Sequence, residues 1–347
     1  MESKKLVTHE RVNVGVIGTG GMGGRHARNL ATEVAGVDVV AIMDTDPGRA
    51  EAVAADCGGA ETFSDAGALI ADPGVDAVVI ASPDSTHAEL AIVCLDAGKP
   101  VMLEKPLAAS VNDAERVLDA EMERKSRAVQ LGFMREFDPA HRRVRDVVDR
   151  GDIGRPLLLR GVHSNFQLGG IRSLREVISN SLVHDFHTVR WISRREISQV
   201  HTEFVAENDD SGAVQLVHVQ TTLDDGSLAT IQFTEDCGYG YEVDLEIVGD
   251  AGSVRTTSLT SPVVRSKNVC GLAVDRDWLQ RFERAYVIEL QSWVNSVQRA
   301  MCQGPSAWDG YVSLIVAEAC IRSATSGTSQ PVELAKPPET YRRWTTR

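Results

Sequence analysis

The chain has little positive charge for its size. Lysine and arginine together number 36 against 49 aspartates and glutamates, a formal net charge of −13 with histidines neutral. That balance speaks against nucleic acid or an anionic membrane as the main partner, because both select basic surfaces. It names no substrate. Cysteine is also sparse: Cys57, Cys94, Cys237, Cys270, Cys302 and Cys320 stand far apart, with no Cys-x-x-Cys pair. That spacing excludes zinc ribbons and thioredoxin-like chemistry, and reduced thiols in a cytosolic protein are the reading that remains. The opening "MESKKLVTHERVNVGVIG" has no long apolar stretch ahead of its first strand. Neither a signal peptide nor a membrane span is therefore expected, and the protein is read as soluble and cytoplasmic. Internal repeats and low-complexity segments are lacking as well.

What is present is a globular balance, 43% hydrophobic and 24% charged over 347 residues. At about 150 residues per domain this is length for roughly two domains. The first half alternates two rhythms. "VNVGVIG" (12–18), "VDVVAIMD" (37–44), "VDAVVIASP" (75–83) and "PVMLEKPL" (100–107) read as buried strands. Between them "ARNLATEV", "PGRAEAVAADCG", "HAELAIVCLDAG" and "SVNDAERVLDAEMERK" read as helices. Apolar runs alternating with helices predict a parallel sheet covered on both faces.

After "AVQLGFMREFD" the rhythm changes to alternating strands, "VQLVHVQTTL", "LATIQF" and "YEVDLEIVG", the first two joined by a "DDGS" turn. One long helix is expected over "DWLQRFERAYVIELQSWVNSVQRAM", stopped by Gly304-Pro305, and "AKPPETYRRWTTR" reads as a tail. The expected architecture is an N-terminal Rossmann domain over 1–131. An α+β domain with an open, mostly antiparallel sheet follows over 132–347 and serves substrate binding and oligomerisation.

"GTGGMGG" sets Gly18, Gly20 and Gly23 in G-x-G-x-x-G spacing, with Gly21 and Met22 between them. The motif ends a predicted strand and opens a helix, as its mechanism requires. Gly18 permits the tight turn, Gly20 lets backbone approach a pyrophosphate, and Gly23 lets helix and strand pack closely. The helix N-terminus supplies amide donors and positive potential. Asp44, closing the second strand, can accept from both ribose hydroxyls and would repel a 2′-phosphate, so NAD is expected over NADP. Arg49 is a nearby cation that could tolerate the phosphate. "LEKPL" places Glu104 and Lys105 just past a strand end, where ligands of such sheets bind. A desolvated lysine there is a credible proton acceptor; a surface lysine paired with Glu104 is equally consistent with the local sequence.

"SNSLVHDFHTVRWI" (179–192) raises a separate question. As a helix advancing about 100° per residue, it sets Leu182, Val183, Phe186, Val189 and Ile192 on one face. Asn180, His184, His187 and Trp191 take the opposite face. Two imidazoles and an amide are unusual on a solvent-facing stripe. Three readings stay open: packing histidines, a zinc site with His163 as third ligand, or a substrate-facing surface. No carboxylate accompanies the stripe, and no metal is expected.

"VGVIGTGGMG", "VVIASPDSTHAELA" and "VMLEKPL" together resemble the Gfo/Idh/MocA family of sugar and cyclitol oxidoreductases. "LGFMREFDPAH", "HSNF", "NSLVHDFHTVRWI", "YGYEVDLEIVGDAGSV", "AYVIELQSWV" and "GPSAWDGYVSLIVAEA" are similar to its inositol dehydrogenase branch. The resemblance implies that Lys105 and His184 form a proton relay as hydride leaves a carbinol carbon for the cofactor. It implies substrate contacts from Met134, Arg135, His163, Asn165 and Tyr239, and a cofactor-side loop of Ser82, Pro83 and His87. It also implies a homotetramer. Three positions depart from the family pattern: Asn180 and His187 stand where aspartates are usual, and Glu136 where a second arginine is. Asn180 can orient His184 but cannot stabilise an imidazolium as a carboxylate would. The expected activity is NAD-dependent oxidation of a cyclitol or sugar hydroxyl, an inositol first, such as myo-inositol to its 2-keto form. An aminocyclitol or amino-sugar substrate is the alternative, and a non-catalytic nucleotide-sensing regulator is the alternative of another class.

Overall fold

The computed structural model describes residues 11–341 except 125, 167–171, 207–212, 257–262 and 267. The start scanned for a signal peptide and the last residues of the expected tail lie outside the described residues. The chain forms two compact units, which meet in sequence at Phe133 and Met134.

In the first unit, β1 (Val12–Ile17), β2 (Val37–Met43), β3 (Glu61–Phe63), β4 (Ala77–Ile80), β5 (Val101–Leu103) and β6 (Val129–Leu131) build one sheet. The strand order is β3-β2-β1-β4-β5-β6 and every pairing is parallel. This is the doubly wound order whose ligands bind at the carboxyl ends of the strands. The connecting helices are α1 (Gly21–Thr32), α2 (Pro47–Asp56), α3 (Ala66–Ala71), α4 (His87–Asp96) and α5 (Val111–Glu123). Their starts follow from local chemistry. Asp46 caps α2 by accepting from Gly48 and Arg49 amides ahead of Pro47, and Ser110 caps α5 through the Asp113 amide. β1 and β4 are apolar along most of their length because both faces are covered.

The second unit opens with α6 (Pro139–Arg150) and β7 (Pro156–Ser164). Next come α7 (Leu174–Glu176) and α8 (Val183–Ser193), then β8 (Ile197–Ala206), β9 (Val214–Leu223), β10 (Leu228–Thr234), β11 (Glu242–Gly249) and β12 (Ser253–Arg255). Together with β13 (Gln330–Pro331) its strands form the order β12-β11-β7-β10-β9-β8-β13. β7 and β10 pair in parallel and the other pairings are antiparallel. The open, mostly antiparallel sheet expected from the sequence is therefore present. Val214, Val217, Val219 and Leu223 of β9 are buried while Gln215 and Gln220 face out, the alternation of a half-covered sheet.

Three expectations need correction. The long helix over "DWLQRFERAYVIELQSWVNSVQRAM" is two helices, α9 (Trp278–Arg281) and α10 (Glu283–Gln298), parted at buried Phe282. It ends at Gln298 rather than at Gly304, because Ala300 takes a left-handed φ of 49°. The expected tail is anchored: Tyr341 is buried, stacks on Trp308 and donates its hydroxyl to Glu121. The 179–192 stretch is not one regular helix, since Val177–Leu182 is π-helical. The 100° projection that set Asn180 above His184 fails across that segment. α8 has no solvent stripe either, for Val183 through Ile192 are all buried.

The chain also returns to the first unit. Tyr286–Tyr311, which holds most of α10 and the start of α11 (Ala307–Ser326), belongs to it. The reason is apolar: Leu290, Trp293 and Val294 share one core cluster with Val12, Val14, Val16, Leu30 and Val39. Among the described residues, no helix is long and apolar enough to cross a membrane.

Candidate active site

The glycine loop follows β1, and its three glycines differ in what they permit. Gly18 sits at φ 86°, and a Cβ there would lie 2.6 Å from the Ala81 carbonyl oxygen. At Gly23 a Cβ would fall 1.8 Å from the Gly18 carbonyl oxygen, so helix and loop touch backbone to backbone. At Gly20 nothing lies within 4 Å, which leaves the approach open to a ligand. These are the separate demands of tight turn, close packing and pyrophosphate approach.

Asp44 is buried at the end of β2. Its Oδ2 accepts from the Thr19 amide (2.8 Å) and hydroxyl (2.7 Å). Its Oδ1 accepts from the Asp46 amide (2.9 Å) and Arg49 Nη2 (2.8 Å). Burial works against its charge, but these four donors hold the carboxyl well below the usual range. A cleft of about 530 Å³ runs along these groups, lined by Gly18, Gly20, Asp44, Arg49, Ser82 and Pro83 among others. The donor set and the open face at Gly20 fit the adenine, ribose and pyrophosphate of a dinucleotide.

Of the other cofactor-side candidates, Gly21, Met22, Gly23, His87, Glu104 and Lys105 do not line that cleft. His87 is buried, with Nδ1 2.7 Å from the Pro106 carbonyl and Nε2 2.9 Å from the Ser82 carbonyl. It ties the Ser82 and Pro106 loops together. Glu104 and Lys105 follow β5 at the carboxyl end of the sheet, and the Lys105 amide donates to Glu104 Oε2 at 3.1 Å.

The second unit gathers the substrate-side candidates around a carboxylate that the sequence reading passed over. Asp185 on α8 accepts from Arg135 Nη1 at 2.6 Å through Oδ1 and from His163 Nδ1 at 2.8 Å through Oδ2. Arg135, His163 and Asp185 are all buried. Burial raises the Asp185 carboxyl, but Arg135 and His163 outweigh it and hold it at about 2. Burial pulls His163 below its ordinary value despite Asp185. With Asp185 ionised, the His163 proton is assigned to Nδ1, which leaves Nε2 as an acceptor. The ring is fixed edge-on by Phe233 and Tyr241.

One further contact joins two of the departures noted above, and a second reaches the π-helical segment. His187 Nε2 lies 3.0 Å from Glu136 Oε1, with both residues buried. Asn165 Nδ2 donates to Glu235 Oε2 at 3.2 Å. That carboxylate also takes Arg172, which reaches Ser181 Oγ in the π-helical segment. Tyr239 is exposed; its hydroxyl donates to Glu242 Oε2 at 2.7 Å and lies 3.0 Å from Ser164 Oγ. Burial, with Glu242 adding to it, pushes the phenol up to about 12. Met134 and His184 are buried, and Asn180 lies in the π-helical turn before α8. Among the described residues, no group of three His, Cys, Asp or Glu side chains is placed to hold a metal. His163 and His187, offered as zinc ligands, turn a nitrogen to Asp185 and Glu136 instead.

Residues 12–133 match a family described as "Oxidoreductase family, NAD-binding Rossmann fold", and residues 141–255 match the Gfo/Idh/MocA C-terminal domain. The chain belongs to the Gfo/Idh/MocA oxidoreductase family. It is 45% identical over 337 residues to inositol 2-dehydrogenase of Rubrobacter xylanophilus, covering 96% of this chain and 97% of that protein. It is 42% identical to inositol 2-dehydrogenase 1 of Saccharopolyspora erythraea, over 95% of this chain and 99% of that one. A solved structure of myo-inositol dehydrogenase from Lactobacillus casei, in complex with NAD(H) and myo-inositol, superposes with a TM-score of 0.91. It is 32% identical and covers 96% of this chain and 100% of that chain. Within this family member, Asp185 is the residue that a reading of isolated motifs misses. It sits inside the quoted helix stretch, beside His184, and only the fold brings it to Arg135 and His163.

Proposed function

We propose that this oxidoreductase removes hydride from a ring carbinol of a cyclitol, an inositol such as myo-inositol first, with NAD+ as acceptor. NAD+, when bound, supplies the electrophilic carbon that takes the hydride. The observation that carries the reading is the placement of Lys105 just past β5 in the same sheet whose carboxyl end forms the Asp44 and Gly18 cleft. The full-length likeness to inositol 2-dehydrogenases supports the substrate class. Lys105 accepts the hydroxyl proton and His184 relays it. Arg135, His163, Asn165, Asn180, His187 and Tyr239, with Met134, read the ring. A site of fixed donors and acceptors rejects analogues that lack a matching hydroxyl strongly.

Glu136 supports a second substrate within the same chemistry. A buried carboxylate paired with His187 would suit a ring ammonium group, as in an aminocyclitol or amino sugar. A homo-oligomer, a tetramer by family, is proposed through the second sheet, where Phe204, Val205 and Leu228 are exposed. The site of action proposed is the cytoplasm.

The test is a panel of inositols, monosaccharides and aminocyclitols, each with NAD+ and with NADP+, followed at the NADH absorbance. Turnover of an inositol with NAD+, lost in Lys105→Ala while NADH binding persists, is the expected result. Binding of NADH with no turnover of any alcohol would leave the non-catalytic regulator standing instead.

A further inference from the structure

The glycine fingerprint of the nucleotide loop accounts for the start of α1, but not for what α1 carries one turn later. His26 is fully buried, and its Nε2 lies 2.6 Å from Glu104 Oε1. The other oxygen of that carboxylate, Oε2, takes the Lys105 amide at 3.1 Å. Glu104 is itself buried, pressed against Gly132, where a Cβ would come within 3.1 Å of Oε2. Tyr286 on α10 closes the other side of His26, edge to face at 5.9 Å. The first unit therefore encloses a carboxylate with an imidazole on one oxygen and the backbone of Lys105 on the other.

We infer that His26 is a positioning residue for Lys105, acting through Glu104. This rests on the reading of Lys105 as the proton acceptor. An isolated buried carboxylate would take up a proton rather than stay charged. Burial does push Glu104 that way, but the His26 hydrogen bond, aided by Lys105, holds the carboxyl below its ordinary value. The tautomer follows from the surroundings. Nδ1 of His26 is buried with no hydrogen-bond partner. The proton therefore sits on Nε2, where it is donated, because a buried orphan acceptor costs less than a buried orphan N–H. The result is a fixed negative charge beside the Lys105 backbone. When the substrate O–H passes its proton to Lys105 Nζ, an ammonium forms, and the Glu104 charge stabilises it. His26 keeps that charge in place without touching substrate or cofactor. The ionisable groups shown around the pair are His26 on α1, Tyr286 on α10 and Lys105 itself.

The test compares His26→Leu, which removes the donor, with His26→Gln, whose amide nitrogen can replace Nε2–H. Lysines are labelled at Cε with carbon-13, the Lys105 signal is assigned with Lys105→Arg, and its titration is followed by NMR. We expect the Lys105 midpoint to fall by at least about half a pH unit in His26→Leu and to return in His26→Gln. With the turnover substrate, kcat should fall about tenfold in His26→Leu with NADH affinity kept within about threefold, and His26→Gln should restore most of it. A Lys105 titration that is the same in the parent and His26→Leu overturns the inference, as does equal behaviour of the two variants. If His26→Leu does not fold, Glu104→Gln replaces it. That change keeps the shape and one acceptor oxygen and removes the charge, so an unmoved Lys105 midpoint overturns the inference there too. A parent that oxidises no cyclitol sinks the proposed function, whereas the lysine titration still decides the role of His26.

Discussion

Replacing Asp185 should loosen the second unit by an amount its geometry sets. Arg135 is 2% exposed and Asp185 4%, so neither charge has water to fall back on. Taking one partner from such a pair costs about 3–5 kcal/mol, because the other charge stays buried alone. Asp185→Leu should therefore lose about 3–5 kcal/mol. Asp185→Asn keeps the shape and an acceptor but loses the ionic part. A carboxyl held at about 2 against an ordinary 3.8 makes that part about 2 kcal/mol. The sign follows from the direction of the shift. A lowered carboxyl contributes fully above its ordinary value and loses the contribution as pH falls through the folded value. Parent and Asp185→Asn should thus differ at neutral pH and converge between about pH 4 and 2. The assay is hydrogen exchange at the α8 amides, which reads the local opening energy without assuming that the whole chain unfolds as one. The double change Arg135→Met with Asp185→Leu should recover most of the loss, since an apolar pair of similar volume is close to neutral. If Asp185→Leu shifts α8 protection by under about 1 kcal/mol, or if the double variant is no better than the single ones combined, the carboxylate is not holding this core.

Four other outcomes follow from the contacts described above. Gly23→Ala should destroy nucleotide binding and lower stability, since its Cβ meets backbone at 1.8 Å. Gly20→Ala should keep the melting temperature and lose NADH affinity, because nothing in the protein opposes its Cβ. Asp44→Ser should reduce the preference for NAD+ over NADP+ at least about tenfold in kcat/KM, by removing the repelling charge and freeing Arg49 for a 2′-phosphate; an unchanged ratio would place discrimination elsewhere. Tyr341→Phe should cost about 1–2 kcal/mol of thermal stability, because the buried Glu121 carboxylate loses one of its donors; an unchanged melting curve would make the anchor ornamental.

Most of the parallel sheet was legible because apolar strands and their helices are written side by side; the short β3 and α3 carry no such signal. The turn at Gly18 and the acid at Asp44 fall at offsets that the nucleotide chemistry dictates. The second unit was readable only as alternating strands. Its central pairing joins β7 to β10 across two intervening strands and two helices, and no local pattern announces that partner. The same holds for the buried network. Arg135, His163 and Asp185 belong to separate segments, and a helical wheel shows which face a residue takes but not what waits there. The wheel also failed locally, because one π-helical turn at Val177–Leu182 shifts every angle before His184. His26 and Tyr341 were missed for the opposite reason. Each stands next to a strong signal, a glycine loop or a chain end, that drew attention from it.

The return of α10 to the first unit has a consequence for biosynthesis. β1 leaves the ribosome early, yet part of the core around Val12, Val14 and Val16 is supplied by Leu290, Trp293 and Val294. Most of the second unit, Met134–Ala285, is translated in between. The nucleotide-binding half is thus the first to be started, yet it stays incomplete until Tyr286–Tyr311 has been made. A nascent chain halted before residue 286 presents an unfinished hydrophobic wall to chaperones, however well its later-made sheet has already closed.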